Sequence, residues 1–456
     1  MSRGSHYSGR HQMLEKGATN PDASAIPTTI RALRVLAPPD PLRLLTCLSA
    51  QPGRFGLLSP LPPPEGTCWR SFVGAFPLEF SRDLAPPPAP RARGLWASVP
   101  RWVGLLPYEA VRCTLERPGW TPQEHRPLPH HLHPYWARYG AVLVVDHPTG
   151  EVFVVGDQQE ACWELKRLAE HPPPTEPPFR ARSLPSEPLE RHRERVAAAL
   201  EFIRAGDIYQ VNLARRLDIE IQGGLGGLLA KLMATFPSPF VTLLELPGVA
   251  HVCSTSPELF LATQGQTVET HPIKGTRKRG RNAQEDEEQR RALDADPKER
   301  AELAMVLDLE RNDLGKLAIP GTVRVRGAPR VVTYRTLHHR VAEVTARMPP
   351  GVTPHALIEA MLPSGSVTGA PKVRAMEVIA ELEASRRGLY TGALGYMGHD
   401  GELRLAMAIR TLTVQGEEGH YHSGSGIVAD SDPEREVEET QVKALQLAAV
   451  LNHPRR

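Results

Sequence analysis

An α+β fold built on antiparallel sheet is predicted by three features of the sequence. Strand-like runs succeed one another at 209–221, 240–245, 251–254, 259–262 and 266–270, a succession for which antiparallel pairing is the economical reading. Earlier in the chain, alternating runs at 141–145 and 151–155 flank His147-Pro148-Thr149-Gly150 and predict a hairpin. Between 26 and 180 short apolar runs alternate with proline and glycine clusters, so strands and loops should dominate there.

The 456 residues are 41% hydrophobic and 23% charged, which suffices for two or three ordinary domains or one very large one. Residues 1–25 are polar and without hydrophobic period, and read as a disordered tail. Residues 26–180 form an amino-terminal region and 181–456 a second domain, divided near the segment 171–178 with its five prolines. A net charge of +2 excludes a global field for nucleic acid. The basic run Arg277-Lys278-Arg279-Gly280-Arg281 is answered at once by Glu285-Asp286-Glu287-Glu288 and has no interleaved aromatics. No apolar stretch approaches the ~18 residues that span a bilayer, and no secretory signal opens the chain, so a cytoplasmic protein is expected. Five cysteines without paired spacing fit neither a disulfide framework nor a zinc site. His125, His130, His131 and His133 are broken up by prolines and have no cysteine partner nearby, which argues against a metal role.

Amphipathic spacing predicts a helix over 189–205, with Val196, Ala199, Leu200 and Ile203 on one face, and a short helix over 162–169. Two further helices begin with an aspartate cap and a proline. One starts at Asp296-Pro297 and runs to about Leu309, the other at Asp432-Pro433 and runs to about Leu451. Each carries two glutamates three residues apart, Glu299 with Glu302 and Glu436 with Glu439, hence on one face. If the helices meet, four carboxylates make an oxygen-rich site suited to Mg²⁺. The same residues also admit plainer roles: Glu299 as a capping-box residue, Glu439 with Lys443 as a surface pair.

Lys274, in Pro272-Ile273-Lys274-Gly275-Thr276, is expected to project from a tight turn at the end of the 266–270 strand. A nucleophilic lysine needs desolvation or a nearby cation, because its ordinary pKa is about 10.4. Two glycine-rich segments, 363–372 and Ser423-Gly424-Ser425-Gly426, offer backbone to a ligand. Arg410, at the end of an apolar run in the 403–411 strand, suits bidentate carboxylate recognition, or else is a solvated strand end.

The ordered set resembles the chorismate-utilising enzymes, above all the aminodeoxychorismate and anthranilate synthase component I group. The matching stretches are Gly206-Asp207-Ile208-Tyr209-Gln210-Val211-Asn212, Ser256-Pro257-Glu258, Pro272 to Thr276, Leu307-Asp308-Leu309-Glu310-Arg311-Asn312-Asp313-Leu314, 365–372, 390–396, Ile409-Arg410-Thr411 and 424–432 leading into Glu439-Thr440. They span roughly 189–451, whereas the first 180 residues match only loosely. The resemblance implies a large sandwich of two antiparallel sheets with helices outside. It implies that Glu299, Glu302, Glu436 and Glu439 hold Mg²⁺, and that Tyr390 and Arg410 bind the enolpyruvyl carboxylate. Gly424 and Gly426 would offer backbone contacts, with Thr276, Thr368 and Lys443 in the pocket and His339 among the catalytic residues. Ala342 stands where the family usually has a serine three residues after that histidine.

Lys274 discriminates within the group, since anthranilate synthases typically have alanine there. A lysine implies attack on C2 of chorismate by the side chain itself, with Glu258 as acid/base at the C4 hydroxyl. Mg²⁺ and a basic neighbourhood would lower the lysine pKa. No cysteine lies in a Gly-x-Cys-x-Gly turn, so ammonia is expected from a separate glutamine amidotransferase, and no fused lyase is expected after the last helix. The product would then be 4-amino-4-deoxychorismate, the p-aminobenzoate precursor. Members of the family also bind tryptophan, and segments 44–54 and 237–240 lie where that pocket would form.

Overall fold

The computed structural model of the protein describes residues 29–36, 38–60, 69–111, 132–174, 176–334 and 337–451. The tail 1–25, His125, His130, His131, Cys68 and Cys113 lie outside the described residues. His133 is exposed.

Two large antiparallel sheets of 12 and nine strands dominate, joined by a small sheet of three strands. The strand-rich reading therefore holds, with one addition. The third sheet, Ile273–Lys278 with Leu337–Val341 and Arg330–Thr333, is the one that carries Lys274.

The hydrophobic pattern explains the layering. In the Ala141–Asp146 strand, Leu143 and Val145 pack under helices while Val142 and Val144 face the opposite sheet. The Pro100–Leu106 strand of the other sheet does the same, with Val103 and Leu105 inward and Trp102 and Leu106 outward. Side chains alternate along a strand, so a strand covered on both faces reads as an unbroken apolar run. Leu143 is fully buried, and truncating it to alanine costs about 2–5 kcal/mol. Helices Pro41–Cys47, Gln159–Glu170, Leu225–Thr235 and Pro433–Leu451 cover one outer face, Pro297–Gly315 and Pro354–Met361 the other.

The hairpin forms, each strand one residue longer than expected, in the register Ala141↔Gly156 to Asp146↔Glu151. Both large sheets draw strands from each side of residue 180, so backbone ladders cross that boundary. The proline-rich segment is anchored rather than free. Glu176 is buried against Arg54 at 2.8 Å and accepts the Gly227 N–H at 2.8 Å. Among the described residues no helix is long and apolar enough to cross a membrane.

Candidate active site

Two neighbouring strands leave one sheet and join the other at the same level, and the site forms there. Ala250–Ser256 belongs to the larger sheet and Leu259–Gln264 to the smaller, so Pro257 and Glu258 make the crossing. Leu403–Met407 and Thr411–Gln415 cross in the opposite sense through Ala408, Ile409 and Arg410. The single strand expected over 403–411 is thus two strands. Its break lies at Arg410, whose φ of 51° is left-handed. A non-glycine residue in that region costs about 1–3 kcal/mol, a strain that functional sites retain. The crossings are stitched together by Met407 N–H to Glu258 O at 3.0 Å and Thr255 N–H to Arg410 O at 3.1 Å.

Lys274 does not sit in a tight turn. The Thr267–His271 strand ends before Pro272, and Lys274 lies inside the next strand, opposite Arg340. The register shifts between Lys274 and Thr276, which makes Gly275 the extra residue of a bulge, at φ 77°. A side chain at Gly275 would lie 3.0 Å from Glu299 Oε2, so glycine admits the carboxylate. Lys274 is half-buried, and the groups whose charge it stabilises are Glu258, Glu299, Glu302 and Glu439. The basic neighbourhood expected around it is therefore largely acidic.

Across helices Pro297–Gly315 and Pro433–Leu451 the glutamates are near enough to act on one another's charges, Glu439 on both Glu299 and Glu302. The first helix runs a turn and a half beyond the expected end, and Asp296 caps it by accepting the Lys298 and Glu299 N–H groups. Burial first, then Glu302, Asp296 and Glu439, push the Glu299 carboxyl up to about 7. Burial likewise raises Glu302, which also faces Glu439 and Glu436. Burial would raise Glu439 too, but the Lys443 ammonium at 2.6 Å outweighs it and holds the carboxyl low. Glu436 is buried, accepts from Ser431 at 2.7 Å, and leaves Oε2 without a hydrogen-bond partner.

These features fit a divalent cation: two carboxyls, Glu299 and Glu302, that burial and neighbouring acids hold toward the protonated form, and an orphaned buried oxygen on Glu436. Among the described residues, the one set of three converging within 4.8 Å is Glu269, His271 and Glu343, so the four glutamates are spread more widely. Mg²⁺ keeps several waters and takes only one or two carboxylates directly, which suits wide spacing.

Arg410 and His339 pair beside the same bulge. Arg410 donates to His339 Nε2 at 3.3 Å, so Nδ1 carries the proton, next to Thr276 Oγ1 at 2.9 Å and Gly275 O at 3.4 Å. Burial and then Arg410 push the His339 pKa down to about 3, which keeps the ring neutral. Its place is set by these three contacts. Ala342, where the family has serine, is buried in the apolar core.

Gly424 and Gly426 lie within the Glu418–Ile427 strand, opposite Ala214 and Asn212, and not in a loop. Glycine is needed for space. A Cβ at Gly424 would lie 2.8 Å from the Tyr390 hydroxyl and from Asn212 Oδ1. At Gly426 it would lie 2.8 Å from Gln210 Nε2 and 3.5 Å from Lys274 Nζ. Tyr390 is buried and stacked on His422. Lys443 donates to Gly424 O at 3.0 Å and so steadies this strand. Thr368 is buried with its hydroxyl on Ser364 O at 2.8 Å, a contact that shapes the loop.

Sequence reasoning missed several polar groups. Gln210 Oε1 and Asn212 Oδ1 are buried without partners beside the two glycines, although both residues stand in the Gly206 to Asn212 motif. Ser366 donates to Glu258 Oε1 at 2.7 Å. Burial raises the Glu258 carboxyl to about 7, with Ser366 opposing and Glu310 adding to the rise.

Away from this centre a cavity of about 340 Å³ lies between the sheets, lined by Trp69, Arg70, Pro239, Phe240, Tyr396 and Glu402 among others. Residues 44–54 are absent from its described lining. Leu44 and Leu45 are in the core, and Arg54 is buried in ion pairs with Glu176 and Glu245.

The family described as chorismate binding enzyme matches residues 65–449. Anthranilate synthase component 1 of Thermus thermophilus is 40% identical over 356 residues, covering 76% of each chain. Aminodeoxychorismate synthase component 1 of Bacillus subtilis is 40% identical over 251 residues, 55% of this chain and 53% of that one. The chain spans about half the length of several such relatives. The crystal structure of anthranilate synthase component I from Streptococcus pneumoniae superposes with a TM-score of 0.68 at 25% identity, over 94% of each chain. A match across most of the chain leaves a single conclusion. The chain belongs to the chorismate-binding enzyme family.

Proposed function

We propose that the protein aminates chorismate at C4, giving 4-amino-4-deoxychorismate, with ammonia drawn from a glutamine amidotransferase partner. The observation that carries this reading is the position of Lys274. Its amine reaches the glycine strand at Gly426 and acts electrostatically on both Glu258 and the metal-side glutamates.

Chorismate is a dianion whose C4 hydroxyl leaves poorly. Arg410 would take the enolpyruvyl carboxylate, with Tyr390 behind it and the Gly424 to Gly426 backbone beneath. Glu299, Glu302, Glu436 and Glu439 would hold Mg²⁺, which when bound would neutralise the ring carboxylate and polarise the diene. The Lys274 amine then attacks C2, the double bonds shift, and the C4–O bond breaks. Glu258, whose pKa of about 7 lets it carry a proton at neutral pH, protonates the departing oxygen to water. Ammonia adds at C4 and expels the lysine, and the new ammonium returns a proton to Glu258. Thr276 and His339 hold Arg410 and the bulge in register.

A second reading is amination at C2 to anthranilate, favoured by the name of the Thermus thermophilus relative. Incubation with chorismate, ammonium and Mg²⁺ separates the two. C4 amination gives a product that yields p-aminobenzoate only when the downstream lyase is added, whereas anthranilate fluorescence without that lyase refutes the proposal. Lys274→Ala is expected to abolish C4 amination and keep chorismate binding. Unchanged C4 turnover in that variant would exclude the covalent route.

The 340 Å³ cavity pairs aromatic walls with a cation at Arg70 and carboxylates at Glu269 and Glu402, a lining suited to an aromatic amino acid such as tryptophan. Calorimetry with tryptophan tests this, and absence of binding at millimolar ligand rejects it.

A further inference from the structure

Glu258 is connected to a second buried carboxyl by an unbroken hydrogen-bonded chain. Ser366 Oγ donates to Glu258 Oε1 at 2.7 Å, Ser366 Oγ and Ser364 Oγ are 2.9 Å apart, and Ser364 Oγ bonds Glu310 Oε1. The four side chains are 5%, 5%, 2% and 0% exposed, so bulk water does not join the chain. Local packing explains how it forms. Glu310 projects from the Pro297–Gly315 helix, and Ser364 caps the 3₁₀ helix Gly365–Val367, which is pressed against it. Gly365 allows the approach, since a Cβ there would lie 2.6 Å from Leu309 Cβ.

Each hydroxyl can donate once, so with a single carboxyl proton the chain has two complete arrangements. Either Glu310 is protonated and all bonds point toward Glu258, or the reverse holds. With both carboxyls ionised, each serine must donate outward and the contact between them has no hydrogen. The charges facing Glu258 are Glu310, Lys274 and Arg410, and those facing Glu310 are Asp313 and Lys372.

We propose that Glu310 is a proton store for Glu258, exchanging one proton with it through Ser364 and Ser366 during each turnover. The inference rests on the reading of Glu258 as the acid at C4. Both carboxyls are protonated at the start; when the C4–O bond breaks, its electron pair leaves with oxygen and Glu258 gives up its proton to form water, leaving a single proton on the chain. Ser366 then hands its hydrogen to Glu258, Ser364 replaces it, and Glu310 replaces that one in turn. The negative charge moves away from the reacting ring to Glu310 while ammonia enters. After C4–N bond formation the new ammonium supplies a proton to Glu258, and the chain runs back to reprotonate Glu310. No proton is gained or lost overall. Glu310 is a positioning residue in this scheme, acting only through Glu258. Burial raises its carboxyl to about 7, as it does that of Glu258, so either group can hold a proton at neutral pH.

The test uses Glu310→Gln and Ser366→Ala in the full chain, with Mg²⁺, ammonium and chorismate consumption as the readout, which is indifferent to the carbon that receives nitrogen. Both variants should lose kcat at least about tenfold with KM changed less than about twofold. Their pH profiles should part in opposite directions. Glu258 must be protonated to act, so activity falls as it ionises. Removing the Glu310 charge lowers its pKa and brings that fall to lower pH, whereas removing the Ser366 hydroxyl raises its pKa and defers the fall. Wild-type kcat in either folded variant overturns the proposal. Should Glu310→Gln not fold, Ser366→Ala decides alone, being the smaller change. Infrared titration of the chorismate-free protein gives a readout without turnover. Two carboxyls should titrate together near neutrality and shift when either is replaced, and a Glu258 band unmoved by Glu310→Gln refutes the shared proton. Should the wild type not consume chorismate, the functional reading fails while this titration still judges the relay.

Discussion

Gly426→Ala isolates space from backbone strain at the centre of the site. The added methyl would stand 2.8 Å from Gln210 Nε2 and 3.5 Å from Lys274 Nζ. The first contact is too short, but its far partner is the end of a flexible side chain, and the second is ordinary van der Waals contact. Gly426 lies in an extended strand and is not among the left-handed glycines, so alanine brings no φ penalty. The stability cost is therefore set by moving one amide, about 1 kcal/mol. The functional cost is larger. A methyl on the face between the strand and the Lys274 amine displaces a bound ring by roughly 1 Å, which costs about 10²-fold in rate, or about 2.7 kcal/mol of barrier. Gly248→Ala is the matched control: it has open space but a φ of 70°, so it should cost about 1–2 kcal/mol of stability and no activity. Melting curves and kcat/KM for chorismate, measured on both variants, should separate cleanly. Gly426→Ala with kcat/KM within about threefold of wild type would refute the placement of substrate against this strand.

Arg410→Lys should raise KM for chorismate by roughly 10- to 150-fold, from the 1.5–3 kcal/mol that a charge-assisted fork is worth, with a smaller effect on kcat. An unchanged KM in steady-state assays would remove Arg410 from substrate binding. The Glu299 carboxyl is raised from 4.5 to about 7 by burial and by Glu302, Asp296 and Glu439. A raised acid contributes stability that is complete below its unfolded value and lost as pH rises through the folded one. The metal-free protein should accordingly melt lower at about pH 8 than at about pH 5.5, and added Mg²⁺ should restore more at the higher pH. Thermal melts with chelator or Mg²⁺ at both pH values check this, and an equal or larger Mg²⁺ effect at the lower pH contradicts it.

Local signals in the sequence located the parts of the site whose chemistry is carried by a residue type and a spacing. The Asp-Pro starts fixed both acidic helices, and glutamates three apart had to share a face. The strand break at Arg410 was hidden because a left-handed φ normally announces itself through glycine or asparagine, and here an arginine adopts it. Sheet membership was hidden for a different reason. Ile273 to Lys278 reads like a turn after a strand, and only its pairing with Leu337–Val341, some 60 residues away, makes it a strand of a third sheet. Gly424 and Gly426 read as places where backbone can meet a ligand, whereas the close approach of Tyr390, Asn212 and Gln210 is what demands them. The serine chain to Glu310 depended on three segments meeting, which no local pattern encodes.

The crossing of strands between sheets explains why so many charges can meet inside an apolar sandwich. An ordinary strand commits both backbone groups to ladder bonds and points every side chain at one core or the other. Where two strands change sheets together, the ladder is interrupted and Glu258 and Arg410 project into the gap instead of into either core. The charges that meet are the Arg410 guanidinium beside a neutral imidazole, the four glutamates of the two helices, and the Lys274 amine, which acts on Glu258 and on three of those four. A dianionic substrate would be attracted to the guanidinium and repelled by the helix glutamates unless a divalent cation stands among them. On the proposed reading, chorismate affinity should therefore depend on Mg²⁺ far more than Arg410 alone would require, because the cation both supplies a ligand and cancels a field. Calorimetry of chorismate with and without chelator measures that difference, and equal affinities would mean that the helix glutamates face something other than the ring carboxylate.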